Sequence, residues 1–181
     1  MNFAKFLLGL VLTSLLFSKE YLAVVDFSAN NVSNSNVNAL TQRLISSLIV
    51  LDKYQIIERS EMNKLLDEQK FQSSGCTSTQ CAVDIGKLIG AKYVVVGSVG
   101  KIGSTYAVDA RIIDVETGEA LSSASYSHYG EIDQLLIEGI DQITAQLCGL
   151  EYKKEDLVLN ASNGIDVSSK KNKKSSIFSY F

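Results

Sequence analysis

The sequence predicts a mixed α/β (α+β) domain in which a mixed sheet of about five strands is packed by four helices, in the order β-α-β-α-α-β-β-β-α. Two observations support this fold class. In the first half of the chain, short apolar runs alternate with segments whose apolar residues recur every three or four positions. In the second half, apolar runs follow one another with only short glycine-containing turns between them. Strands separated by helices run parallel and strands joined by tight turns run antiparallel, so the sheet is expected to be mixed.

The first half of the chain has the pattern of two strands and two helices. Residues 21–27 form an apolar run without strict alternation, which is typical of a strand buried on both faces. After a loop rich in asparagine and serine, residues 37–51 have apolar residues at helical spacing and predict the first helix. Residues 53–59 predict a second strand, and Ser60 is a residue type that caps helix N-termini, so a second helix is expected to start there. The periodic positions of this helix are Met62, Leu65, Leu66 and Gln69.

A third helix and three consecutive strands are predicted next. The helix is expected to run from Thr79, another capping residue type, to Gly90, which suits a left-handed C-terminal cap. Residues 92–99 are the most hydrophobic strand of the domain, and residues 106–115 and 119–129 are two further strands joined by a turn that contains glycine. The apolar face of the helix would comprise Ala82, Ile85, Leu88 and Ile89.

The chain is expected to have three parts. Residues 1–18 contain one lysine followed by an uncharged apolar run, a pattern typical of a secretory signal peptide, and the run is too short to cross a bilayer. Residues 20–149 would form the α/β domain, which a last helix at residues 131–148 closes. Residues 150–181 are rich in lysine and serine and predict a flexible tail. The apolar stripe of the last helix would comprise Ile132, Leu136, Ile140, Ile143 and Leu147.

Composition and spacing argue against several classes of function. The net charge of −3 is unfavourable for a nucleic-acid partner. The glycines at residues 97–103 lack the spacing of a phosphate-binding loop, and a strand follows them where such a loop needs a helix. His128 is the single histidine, and its neighbour Ser127 would lie on the opposite face of a strand. We therefore expect no catalytic residue, no metal ligand and no cofactor, and a protein that is not an enzyme.

Two cysteines in the loop before the third helix have two interpretations. Cys76 and Cys81 could form a disulfide or supply half of a metal site. A metal site would need two more ligands, and Cys148 and His128 are too distant in sequence for ligand spacing. Export into an oxidising compartment favours the disulfide over free thiols. Cys148 would then remain as a small buried apolar residue.

Five segments of the chain occur in the order and composition of a known family: Ala23-Val-Val-Asp-Phe27, Ile57-Glu-Arg59 with Leu65-Leu-Asp-Glu-Gln69, Gly86-Lys-Leu-Ile-Gly-Ala91, Val96-Gly-Ser-Val99, and Ala110-Arg-Ile-Ile-Asp-Val-Glu-Thr-Gly-Glu119. With these segments, the sequence resembles the curli production assembly and transport family (CsgG/HfaB), whose periplasmic domain is related to the N-terminal domain of TolB. The resemblance covers most of residues 21–147. It implies a cell-envelope protein of the periplasm or outer membrane and, in the founding members, an oligomeric export channel.

The chain departs from the family's channel-forming members. Those members insert two membrane-crossing hairpins, and a membrane strand needs about 9–11 residues. Residues 100–105 and 129–132 are too short to hold them, and residues 1–18 contain no cysteine for acylation. We therefore expect an exported domain that acts through contacts with envelope or secretion-apparatus proteins and is at most peripheral to a membrane. The alternatives are a regulator that docks on a cell-wall synthase, a channel subunit, and an enzyme or small-ligand binder. The chain could also form a homo-oligomer.

Overall fold

The computed structural model describes residues 19–69 and 76–152, and every structural statement below concerns these residues. The strands are β1 (Tyr21–Val24), β2 (Ser28–Asn30), β3 (Gln55–Ile56), β4 (Tyr93–Ile102), β5 (Thr105–Asp114) and β6 (Ala120–Tyr129). The helices are α1 (Asn34–Leu51), α2 (Arg59–Glu68), α3 (Thr79–Ile89) and α4 (Ile140–Leu147), and a π-helical turn at Leu135–Gly139 leads directly into α4. The predicted fold class, a mixed sheet packed by four helices, is confirmed. The predicted signal peptide and most of the predicted tail lie outside the described residues.

The strands form a single mixed sheet in the order β3-β1-β4-β5-β6, and β2 lies beside β4 beyond the end of β1. β1 pairs in parallel with both β3 and β4, because helices connect these strands. β4 and β5 pair antiparallel over ten residues, and β5 and β6 pair antiparallel at nine positions, with a register shift between Ile112 and Ile113. The sheet therefore has a short parallel part and a long antiparallel part.

The first strand is shorter than predicted, and a sixth strand follows it. Pairing stops after Val25, whose N–H still donates to Val95, and resumes at β2, directly after the strand that was predicted at residues 21–27. Phe27 lies between the two strands, and its ring packs so closely over Gly97 that a Cβ there would come within 2.5 Å of it. The chain bends at this point, and this contact requires a residue without a side chain in β4.

The core has two layers, one on each face of the sheet, as expected for a sheet with helices on both sides. On the first face, α1 and α4 pack against side chains that include Leu44, Ile112 and Ile140. On the second face, α2 and α3 pack against side chains that include Met62 and Val94. The second layer reaches the antiparallel part of the sheet only at the start of β4 and the end of β5, where Val94, Val96 and Ile113 are buried.

The corner between β3 and α2 differs from the prediction. The strand predicted at residues 53–59 is reduced to β3, and α2 begins at Arg59 with Glu58 at the N-cap position, where no side chain caps the helix. Ser60 is therefore not the cap. Arg59 reaches across to Asp26, which follows β1, and forms an ion pair with it. The first residue of α2 is therefore held by a long-range contact, whereas the local capping that the sequence suggested is absent.

The apolar faces of three helices differ from the predicted ones by one or two residues. The largest difference is before α4, where Leu135 is buried and the predicted Leu136 is 42% exposed. The π-helical turn inserts one residue, so that the N–H of Ile140 donates to Leu135 instead of Leu136. Gly139 in this turn lies against the ring of Tyr126, where a Cβ would come within 2.7 Å. In the same way, Leu65 of α2 and Leu88 of α3 are exposed, contrary to the prediction.

Candidate interaction surface

Part of the second sheet face has no helix over it, and we call this part the open face. Along β4, the buried Val94 and Val96 lie beneath α3, and the next residue on the same face, Ser98, is half-buried. Side chains on a strand alternate between the two faces of the sheet. The registers of β4, β5 and β6 therefore identify the other residues that lie on the open face. The open face consists of Ser98, Gly100, Ile102, Thr105, Ala107, Asp109, Arg111, Ser123, Ser125, Ser127 and Tyr129.

The open face is polar in its middle and apolar at its outer end. Its middle has small or hydroxyl-bearing side chains, with the charged Asp109 and Arg111 two residues apart on β5. At the outer end, Ile102 and Tyr129 flank Thr105 and are 86% and 76% exposed. An antiparallel sheet commonly has one face in water, which explains the serines, but two large apolar side chains this exposed at one end are typical of a contact surface.

A shallow depression of about 470 Å³ lies on the inner part of the open face. A guanidinium nitrogen of Arg111 donates to the carbonyl oxygen of Thr77 at 2.8 Å, and this contact forms one wall. On the opposite side, Oε1 of Gln146 in α4 accepts from the backbone N–H of Ser125 at 3.3 Å. Seven of the eleven lining residues are polar and six are exposed, whereas small-molecule sites are mostly apolar and enclosed. The depression is thus better suited to hydrogen bonding with a partner surface than to enclosing a substrate.

The disulfide helps to position one wall of the depression. The structure joins Cys76 and Cys81, with their Cα atoms 5.8 Å apart. Cys76 is buried in the second core layer, and the Oγ of Ser78 caps α3 by accepting from the N–H of Cys81. The predicted cap, Thr79, is instead the first helical residue. The bridge therefore holds the segment that presents the Thr77 carbonyl to β5.

The outer edge of β6 exposes backbone groups. The N–H of Gly130 donates to the carbonyl of Ser104 at 2.9 Å, so Thr105 and Tyr129 form a non-hydrogen-bonded pair of the antiparallel ladder. By alternation, the N–H and C=O groups of the odd-numbered residues of β6 point away from β5, and the bond between Ser125 and Gln146 agrees with this. No described residue bonds the outward groups of Ser127 or Tyr129.

The residues weighed as metal ligands or catalytic groups lie apart from one another within residues 19–69 and 76–152. No group of three or more His, Cys, Asp or Glu side chains there could hold a metal ion. His128 is half-buried on the covered face of β6, whereas Ser127 is exposed on the open face. Cys148 is buried as a free thiol at the end of α4, and burial raises its pKa. The Nζ of Lys53 donates to the backbone carbonyl of Cys148 at 2.8 Å. The surroundings of Cys148 are therefore those of a structural residue.

The depression cannot be recognised from the sequence, because its walls come from distant segments. The only local signal is the alternation of polar residues along β5 and β6, which places them on one face of the sheet. Thr77 and Gln146 have no such signal. In the part of the chain that the structure describes, no helix combines the length and apolar content needed to cross a membrane.

Comparison with known proteins gives one family and several structures of similar fold. The family described as curli production assembly/transport component CsgG matches residues 15–106. The LpoB C-terminal domain from Salmonella enterica is 17% identical with a TM-score of 0.51, covering 67% of this chain and 90% of that one. The LpoB C-terminal domain from Escherichia coli is 14% identical with a TM-score of 0.51, covering 68% and 93%. Lipoprotein GNA1162 from Neisseria meningitidis is 13% identical with a TM-score of 0.52, covering 79% and 91%. No curated protein matches the sequence.

Proposed function

The chain belongs to the family of the curli production assembly/transport component CsgG, and on this premise we propose that it is an exported periplasmic or outer-membrane-associated protein that assembles with other envelope or secretion proteins. Membership of this family supports the assignment as an envelope protein that acts through protein contacts. The observation that carries the proposal is the open face, a sheet surface without a covering helix that ends in exposed Ile102 and Tyr129. A disulfide between Cys76 and Cys81 is in keeping with an oxidising compartment.

The chemistry of the open face suits a protein partner. Protein interfaces combine a few large apolar or aromatic anchors with a polar, partly hydrated surround. Here the anchors are Ile102 and Tyr129, and the serines between β4 and β6 supply hydrogen-bonding groups. Asp109 forms no ion pair with any described residue, so its carboxylate is free to pair with a cation of the partner.

A channel subunit is the less favoured alternative. β4 and β5 are joined by a two-residue turn, because Ile102 pairs directly with Thr105. Between β6 and the π-helical turn, only residues 130–134 intervene. Neither connection has the length of a membrane-crossing hairpin, which needs two strands of about 9–11 residues.

The proposal is tested by affinity capture of the tagged chain from envelope extracts, with mass spectrometry of the proteins recovered. Asp109→Arg reverses a charge at the centre of the open face, and Asp67→Arg makes the same change on the exposed side of α2. We expect an envelope or secretion protein to be recovered with the parent chain and with Asp67→Arg, and to be lost with Asp109→Arg. Equal recovery with both variants would reject the open face as the contact surface. Recovery of a cell-wall synthase would favour the regulator alternative.

A further inference from the structure

The free edge of β6 has features that fit a second copy of this chain. Its ten residues include no charged side chain and no proline, although charges and proline are the usual means of protecting an exposed edge from pairing. The chain as a whole has a net charge of −3, so two copies repel one another over much of their surface. An uncharged strand is a place where an identical chain can approach without placing like charges opposite each other.

The free backbone groups determine which residues can pair. Gln146 occupies the outward N–H of Ser125. Toward the end of the strand, the outward groups that no described residue bonds belong to Ser127 and Tyr129. Two copies of β6 in antiparallel orientation satisfy these groups reciprocally when Ser127 of each pairs with Tyr129 of the other. A two-fold axis then passes beside His128, and closed two-fold symmetry is the commonest arrangement of homo-oligomers.

We propose that two copies of this chain associate through antiparallel pairing of their β6 strands, with Ser127 opposite Tyr129 of the second copy. The two tyrosine rings then lie diagonally across the junction on the open face, a separation that aromatic side chains can bridge. This arrangement gives the 76% exposed ring of Tyr129 a partner. The two sheets become one continuous sheet, and the depressions of both copies remain accessible on the same side of it.

The first test is the mass of the purified chain against concentration, by sedimentation equilibrium. Ser127→Pro removes an N–H that points away from β5, so the fold is retained while the pairing is lost. Ser127→Ala keeps this N–H and removes only the hydroxyl group. We expect a dimer for the parent chain and for Ser127→Ala, and a monomer for Ser127→Pro. A parent chain that stays monomeric at every concentration, or a Ser127→Pro variant that dimerises like the parent, would overturn the proposal.

The second test reports the register and needs no proline. His128 of each copy would form a non-hydrogen-bonded pair, with Cα atoms about 4.5 Å apart, which is within disulfide range. His128→Cys should therefore form a covalent dimer on mild oxidation, whereas Tyr106→Cys, its neighbour on β5, should not. Equal cross-linking of the two variants, or none with His128→Cys, would contradict the pairing. Both tests use the chain alone, so their outcome does not depend on whether the proposed envelope partner exists.

Discussion

Arg59, the first residue of α2, forms an ion pair with Asp26, which lies just beyond the end of β1. The two side chains are only 20% and 31% exposed, and burial lowers the pKa of Arg59. The pair joins the helix on the second face to the carboxyl end of a central strand. It therefore connects the two segments of the family pattern that lie at the start of the domain.

Breaking this pair should destabilise the domain. Arg59→Ala leaves the Asp26 carboxylate partly buried without its cation, and we expect a loss of about 1–3 kcal/mol in the free energy of unfolding. Asp26→Ala should have a similar effect, and the double variant should lose less than the sum of the two because the residues interact. Denaturant unfolding of the three variants measures this coupling. Strictly additive losses would mean that the ion pair does not stabilise the fold.

Asp141, a buried carboxylate, should stabilise the packing of α1 and α4 on the first face of the sheet. Asp141 of α4 accepts hydrogen bonds from Arg43 at 3.0 Å and from Ser47 at 2.7 Å, and both donors are on α1. Asp141→Ala removes both bonds, so we expect a loss of about 2 kcal/mol in the free energy of unfolding. Asp67→Ala is the matched control, because this exposed carboxylate should change stability by no more than about 0.5 kcal/mol. Comparable losses for the two variants would show that Asp141 does not connect α1 and α4.

Asp114, in the turn between β5 and β6, should make the free energy of unfolding depend on pH in the acidic range. The N–H of Thr117, followed by that of Glu116, donates to Asp114 and holds the pKa of its carboxyl below the ordinary value. Because the folded-state pKa is the lower one, the stabilisation is present above the unfolded-state pKa of about 3.9 and is lost as pH falls through the folded-state value. Asp114→Asn should therefore flatten the loss of stability below about pH 4, whereas Glu116→Gln should not. If the free energy of unfolding of Asp114→Asn falls below pH 4 as steeply as that of the parent chain, the Asp114 carboxyl is not the group responsible.

The disulfide can be tested by counting thiols. The sequence contains three cysteines, and Cys148 is the free one among the described residues. Alkylation of the unfolded chain should add one group without reduction and three after it. Replacing Cys76 and Cys81 by serine should cost about 2 kcal/mol, as expected for a short closed loop. Three modified cysteines before any reduction would show that the bridge is absent.

Much of the fold follows from the sequence, because apolar spacing and turn residues specify each element locally. The glycine at position 90, for example, does end α3 in a left-handed conformation. What the sequence did not predict depends on contacts between distant residues. The π-helical turn requires Gly139 to meet Tyr126 across the core, and the start of α2 depends on Asp26 and Arg59.

Only part of the open face can be derived from the sequence. Alternation along β6 places its small and polar residues on one side of the strand. The depression, however, is completed by Thr77 and Gln146, which reach the sheet from the disulfide loop and from α4. Such convergence is a tertiary property, and no local pattern in the sequence encodes it.

Site-specific photo-cross-linking in living cells can show whether this protein meets an envelope partner at the open face. A photoreactive residue at Asp109 lies at the centre of the open face, and one at Gln42 lies on the exposed side of α1. We expect a discrete adduct with another envelope protein from position 109 and none from position 42. Absence of any adduct at position 109, or the same adduct from both positions, would contradict it.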